Sequence, residues 1–302
     1  MKYASGATFR RALEDRLRAH SQKTVLPLIR LRKLVAVDRL LARLTLEQPA
    51  TWILKGGLAL QLRLGPQART TQDVDLLMRL DPRHVHETLV NAAVRDLGDW
   101  FQFEIAQAVM IAPDQIGNAY RFNTQALLDG RAFETFHVDV GLSDPVVEAV
   151  DNLVIPSLLA FADIPPTVVP CYPLTQHIAE KVHAYTLPRP TSENSRVKDL
   201  VDILLLAGLN SLSVESLGQA LLATFKARPT HPLPNRWPDP PPSWAVPFRR
   251  QATALNLKYA TLAEADVAAR QFIEPVLQAE KISQWNPQRW EWQTSSWALT
   301  AI

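Results

Sequence analysis

A chain of 302 residues with 47% hydrophobic and 21% charged residues has the proportions of a folded protein with room for two domains, which excludes a disordered chain. No run approaches the roughly 20 apolar residues that span a bilayer, and the single cysteine, Cys171, excludes an intrachain disulfide, so a cytoplasmic protein with no membrane partner is expected. The formal net charge of +2 conceals an asymmetry: residues 1–49 hold eleven Lys and Arg against four acids, a surplus of +7, leaving −5 on the remainder.

That surplus falls on helical sequence. Residues 8–22 have helical character, and a second helix is expected to begin with Pro27 in its first turn and to show an apolar face at Leu34, Val37, Leu41 and Leu44. A basic flank suits a polyanionic partner such as RNA, and a solvated helix face is the alternative. Residues 51–54 read as a strand, Gly56-Gly57 as a sharp turn, and 58–64 as a helix that stops at Gly65-Pro66. Residues 74–78 and 136–140 are apolar enough to be buried strands; between them, 84–97 reads as a helix and 100–110 as a strand. Prolines 165, 166, 170 and 173 mark a change of character. Beyond them the helices expected are 174–186, 195–209, 214–227 and 249–280. The expected division is therefore a mixed domain over 1–165 and a mainly helical one over 166–302, an α+β protein. Residues 228–247 carry eight prolines with Trp237 and Trp244, which predicts an extended arm packed on the surface in preference to a docking motif. The tail tryptophans Trp285, Trp290, Trp292 and Trp297 are expected to bury rather than to stack on bases.

The chemistry concentrates in Gln72-Asp73-Val74-Asp75-Leu76. Strand side chains alternate faces, so both aspartates point one way while Val74 and Leu76 point into the core. Carboxylates side by side repel unless a cation lies between them, and hard oxygen ligands open to phosphate fit Mg²⁺ or Mn²⁺. Asp139, on the strand with His137, is the third candidate metal ligand, assigned from strand type and position. Gly56 and Gly57 let the backbone approach a ligand closely, and amides at a following helix N-terminus suit phosphate. Thr71, two residues before Asp73, shares its face and is a further nucleotide-side candidate. Ile178, Lys181, Val182 and Tyr185 share one face of a helix, from which Lys181 can reach inward to a triphosphate or snorkel to water. Asn194 or Ser195 can cap the next helix, and Arg196 with Asp199, or Lys198 with Asp202, can form surface ion pairs. His137, His177 and His183 lack zinc-site spacing.

Gly56-Gly57, a fifteen-residue spacer and Asp73-Val74-Asp75-Leu76 resemble the signature of the DNA polymerase β-like nucleotidyltransferase superfamily. Within it, Leu54-Lys55-Gly56-Gly57-Leu58-Ala59-Leu60 with Arg69-Thr70-Thr71-Gln72-Asp73-Val74-Asp75 looks like the AbiEii/AbiGii toxin family, which includes the MenT toxins. A second block supports the narrower match: His177-Ile178-Ala179-Glu180-Lys181-Val182-His183-Ala184-Tyr185, then Asn194-Ser195-Arg196-Val197-Lys198-Asp199-Leu200-Val201-Asp202. The resemblance covers residues 8–210 and has no residue-level match in the proline-rich arm or the Trp-rich tail. It implies a polymerase β-like core with mixed sheet and flanking helices, a helical C-terminal part, and the toxin of a bacterial toxin–antitoxin or abortive-infection pair with a cognate antitoxin. By the resemblance, Asp73 and Asp75 match the metal-binding aspartates, and Lys181 and Asp199 match later catalytic positions. Many superfamily members have Gly-Ser where this chain has Gly56-Gly57, a change the AbiEii-like branch tolerates. The expected activity is metal-dependent transfer of a nucleoside monophosphate from an NTP to RNA, at the tRNA 3′ end. Transfer to an antibiotic or protein hydroxyl, and a non-catalytic nucleotide-binding module, are the rivals.

Overall fold

The structure, a computed structural model, describes residues 2–24, 26–48, 51–68, 71, 73–111, 119–188 and 196–294. Two helices open the chain. In α1 (Gly6–Thr24), Phe9, Leu13 and Leu17 recur at a spacing of four and are buried. Pro27 caps α2 (Leu28–Glu47), on which Val37, Leu41 and Leu44 are buried and Leu34 partly so. Then follow β1 (Trp52–Lys55), α3 (Gly56–Leu64), β2 (Asp73–Met78) and α4 (Pro82–Ala93), whose N-cap Asp81 accepts from the Arg83 amide. The remaining strands of this part are β3 (Phe101–Ile105), β4 (Val109–Met110), β5 (Ala119–Leu128), β6 (Arg131–Gly141), β7 (Asp151–Val154) and β8 (Val168–Cys171).

These strands form one mixed sheet in the order β3-β5-β6-β2-β1-β8-β7, with β4 paired to β5. β2 runs parallel to β6 and antiparallel to β1, while β5 and β6 form an antiparallel hairpin. Leu54, Val74, Leu76, Phe122, Val138 and Val140 join apolar side chains of α1, α2 and α4 in a single core. Each fully buried aliphatic side chain of that set contributes about 1.5–3 kcal/mol, which fixes the register and so the opposite, polar face of the same strands.

Part of the basic flank is built into this core, while Lys2, Arg11, Arg16, Arg18 and Lys23 stay exposed. Arg43 is fully buried and donates to Asp99 at 2.6 and 3.1 Å and to the Phe101 carbonyl at 2.8 Å, and Arg39 Nε donates to Asp99 at 2.7 Å. Arg10 bonds the carbonyls of Leu128, Arg131 and Ala132, Arg32 pairs with Glu14, and the Arg16 guanidinium lies over the Phe161 ring. Arg39 and Arg43, buried in this way, offer nothing to a nucleic-acid backbone, so the exposed basic face is smaller than the surplus of +7.

The second part of the chain is α5 (Leu174–Thr186), α6 (Val197–Ala207), α7 (Val214–Ala227), α8 (Ala245–Ala254), α9 (Leu262–Leu277) and a hairpin of β9 (Ile282–Asn286) and β10 (Glu291–Thr294). The single helix expected over 249–280 is two: the chain turns at Asn256, where φ is +50, and α9 restarts on a capping box of Thr261 with Glu264. The proline-rich segment ends in a short 3₁₀ turn, Pro242–Trp244. Trp237 stacks on Tyr185 with ring centroids 4.0 Å apart, and the Tyr185 hydroxyl donates to the Pro238 carbonyl. Trp285, Trp290 and Trp292 each donate an indole N–H to a carbonyl, of Ala207, Ala268 and Phe272, so these tail rings are structural. Trp297 and the proposed Asn194 or Ser195 cap lie outside the described residues.

The chain divides into a unit of Met1–Arg63, Thr70–Ser143 and Val150–Cys171 and a unit of Leu64–Arg69, Asp144–Ala149 and Tyr172–Ile302. The division falls at Cys171 rather than 165 because β8 carries the chain back into the sheet beside β1. Among the described residues no helix is long and apolar enough to cross a membrane.

Candidate active site

Asp73 and Asp75 stand on the polar face of β2, with Val74 and Leu76 buried on the other. The parallel register with β6 sets Asp139 opposite Asp75 and His137 opposite Asp73, so the three carboxylates share one face. Lys55 is opposite Asp75 on β1 and Arg121 is opposite Asp139 on β5. Arg121 grips Asp139 through one edge of its guanidinium, Nε to Oδ1 at 2.7 Å and Nη2 to Oδ2 at 2.6 Å, and the same Nη2 reaches Asp73 at 3.3 Å. The carboxylates hold the Arg121 charge more firmly than usual: its hydrogen bonds to Asp139 lead the causes that raise its pKa.

The glycine pair is explained by the space around Asp75. Gly56 has φ +63, and a Cβ there would lie 1.9 Å from the Asp75 carboxylate oxygen Oδ2. A Cβ on Gly57 would lie 2.6 Å from the Thr71 hydroxyl oxygen. Helix α3 therefore begins at the glycines themselves, and the Gly57 amide donates to Asp75. Burial raises the Asp75 pKa, with neighbouring Asp139 and Asp73 adding to the rise and Lys55 and the Gly57 amide opposing it. The Thr71 hydroxyl donates to the Asp73 carbonyl, closing the turn into β2. Beside Asp73 a small recess is walled by Arg30, Lys33, Gln61 and Thr71. Desolvation there lowers the Arg30 pKa, and its Nε is buried with no hydrogen-bond partner among the described residues.

Lys181 and Asp199 belong to the other unit. Lys181 Nζ lies 3.0 Å from Asp199 and 2.9 Å from Asp202, both almost fully buried, and Arg196 approaches Asp199 at 3.6 Å. Asp202 is thus no surface ion-pair partner but half of a buried clamp on Lys181. Burial works against the lysine charge, but Asp202 and Asp199 outweigh it and hold the pKa above its ordinary value.

The structure therefore gathers Gly56, Gly57, Thr71, Asp73, Asp75 and Asp139 in one unit and Lys181 with Asp199 in the other. Arg121, Arg30 and Asp202 were missed. The signal for Arg121 was the Asp129-Gly130 pair between two alternating stretches, a hairpin mark that places residue 121 across from 138, and the register shift between Ala126 and Leu127 moves it opposite Asp139.

The donor set suits a hard divalent ion: Asp73 and Asp75 supply carboxylate oxygens side by side on one face of β2. Among the described residues no three such groups are drawn together as a ready-formed metal cluster, and Arg121 supplies positive charge between Asp73 and Asp139. Asp73 and Asp75 fit the ion directly, and Asp139 joins them only if Arg121 yields.

Comparison with known proteins adds the family. The profile described as nucleotidyl transferase AbiEii toxin, type IV toxin–antitoxin system, matches residues 39–293. No curated protein sequence matches the chain. MenT4, a nucleotidyltransferase toxin from Mycobacterium tuberculosis, is 16% identical, with 88% of this chain and 98% of that one aligned at a TM-score of 0.51. An antigenic nucleotidyltransferase-like protein from Paracoccidioides brasiliensis aligns at TM-score 0.40 and 17% identity over 76% and 95% of the two chains. The antibiotic-resistance factor ANT(2″)-Ia aligns at 0.34 and 16% over 63% and 89%. With the family profile covering most of its length and the carboxylate strand, glycine turn and hairpin in place, the chain belongs to the AbiEii nucleotidyltransferase toxin family.

Proposed function

We propose that this nucleotidyltransferase moves a nucleoside monophosphate from an NTP to a hydroxyl at the 3′ end of tRNA, with Mg²⁺ or Mn²⁺, and so stops translation. The observation that carries the reading is the single polar face on which Asp73, Asp75 and Asp139 stand in register behind Gly56. Asp73 and Asp75 would hold the divalent ion, which lowers the pKa of the attacking hydroxyl and neutralises the triphosphate. Gly56 leaves room for the Asp75 carboxylate, and Arg30 adds positive charge on the α3 side for the phosphates. The acceptor oxygen bonds the α-phosphorus as the α–β phosphoanhydride breaks, pyrophosphate leaves, and the hydroxyl proton passes to solvent.

The choice of RNA rests on family membership and on the MenT resemblance, and the exposed flank cations Lys2, Arg11, Arg16, Arg18 and Lys23 suit the same polyanion. A cognate antitoxin is the partner that a toxin–antitoxin family implies. Purified protein, Mg²⁺ and each α-labelled NTP are combined with total RNA, an aminoglycoside or a protein lysate freed of RNA. Label confined to RNA of tRNA size supports the reading, and label only in either other acceptor, or in none, overturns it.

A further inference from the structure

We propose that the hollow beside Asp73, formed by β3, β5 and β6, receives the terminal nucleoside of the acceptor strand; the proposal rests on the nucleotidyl transfer to RNA argued above. The hollow measures about 580 Å³ and is lined by Lys33, Glu104, Asn123, Gln125, Thr135 and His137, among others. That size lies within the range of small-molecule sites, roughly 300–1,000 Å³.

Its place in the sheet decides which substrate it takes. Attack and departure at phosphorus occur roughly in line, so acceptor and pyrophosphate must lie on opposite sides of the reacting centre. The glycine turn and α3 follow β1, on one side of β2 in the sheet order, and the strands β6, β5 and β3 lie on the other. If the triphosphate lies toward α3 and Arg30, the acceptor enters from β5 and β6. The register brings the lining to the carboxylates: His137 is opposite Asp73, Asn123 is opposite His137, and Gln125 is opposite Thr135.

The chemistry of the lining narrows the acceptor. Asn123 and Gln125 each offer an amide donor and a carbonyl acceptor, the pairing that reads unstacked base edges, and Thr135 adds a hydroxyl for a ribose. His137 lines the hollow, and its Nδ1 is buried without a hydrogen-bond partner among the described residues, so turning the ring over would bring that nitrogen to a ligand hydroxyl. Lys33 gives the rim a cation suited to a phosphodiester. Glu104 is the only carboxylate in the described lining, too little negative charge for a polycationic aminoglycoside.

A short single-stranded RNA ending in a 3′-terminal 4-thiouridine tests this with the full chain and no NTP: after irradiation, the adduct is mapped by mass spectrometry. Adducts are expected on peptides within 101–141, and the double variant Asn123→Ala with Gln125→Ala should bind the RNA roughly tenfold more weakly, the loss of about two modest hydrogen bonds. Its affinity for a non-hydrolysable NTP should stay unchanged. Adducts confined to other peptides, or unaltered RNA affinity in a variant that melts like the parent, overturn the proposal. Adducts here without transfer to any RNA would sink the proposed function and leave the pocket standing; transfer with adducts elsewhere does the reverse.

Discussion

At Gly56 a methyl group has no room. The left-handed backbone alone costs an alanine about 1–2 kcal/mol, and its Cβ would meet the Asp75 carboxylate at 1.9 Å. Gly56→Ala is therefore expected to lower the melting temperature and abolish transfer together, and a variant with parental stability and rate would show that Asp75 sits elsewhere in the working enzyme. At Gly57 the obstacle is Thr71, 2.6 Å from a built Cβ, so Thr71→Gly should recover much of what Gly57→Ala loses. Arg121 makes the third residue-scale prediction. Its removal leaves Asp73, Asp75 and Asp139 facing one another without the guanidinium that bridges two of them. Arg121→Ala should melt lower in metal-free buffer and gain more from added Mg²⁺ than the parent does; equal Mg²⁺ shifts in thermal melts would exclude an internal counter-cation. The paired aspartates could be read directly, because alternation along a strand needs only adjacent positions. Arg121 could not be read that way, since its partner lies 18 residues on across a hairpin.

Elements explain which charges are structural. Asp99 holds Arg39 and Arg43 inside the core, and although burial pushes its pKa up, the two arginines prevail and leave it below the usual 3.8. A carboxylate with a depressed folded pKa contributes stability above its unfolded value, and that stability is lost as pH falls through the folded one. Urea midpoints should thus fall on acidification below about 3.8, and Asp99→Asn should flatten that acid limb while costing about 3–5 kcal/mol at neutral pH, as expected when one partner of a buried pair is removed. An unchanged acid limb would contradict the pairing. The α5–α6 clamp behaves likewise. Lys181→Ala strands Asp199 and Asp202 in the interior, so it should destabilise the protein, and adding Asp202→Asn should restore part of the loss. If Lys181→Ala changes NTP kinetics with stability intact, the lysine acts on substrate and not on the fold. Helices with a clean apolar period, such as α5 and α7, could be placed from sequence to the residue. Strands β7 and β8 could not, because four residues show too little of a period, and β5 alternates in burial but has Thr124 and Ala126 at buried positions, which contrast little with their neighbours in polarity. The burial of Arg39 and Arg43 was equally hidden, since a charge count cannot tell a solvated cation from one clasped by Asp99.

At the scale of the whole molecule, the candidate residues fall into two units: the carboxylate face in one, the Lys181 clamp in the other. The family carries the functional assignment, and the exposed part of the flank's charge is compatible with it. Arg10 donates to three carbonyls, so its replacement by Gln should lower thermal stability, whereas Arg11 and Arg18 are exposed and their replacement by Gln should flatten the salt slope of RNA binding. The central claim is that Asp73 and Asp75 carry metal-dependent nucleotidyl transfer. It is tested most directly by pyrophosphate release and label transfer from an α-labelled NTP to tRNA, comparing the parent with Asp73→Asn and Asp75→Asn at matched folding, with and without Mg²⁺. The account predicts Mg²⁺-dependent label on RNA with equimolar pyrophosphate from the parent and none from either variant; transfer by a folded Asp75→Asn protein, or transfer that persists in chelator, would contradict it.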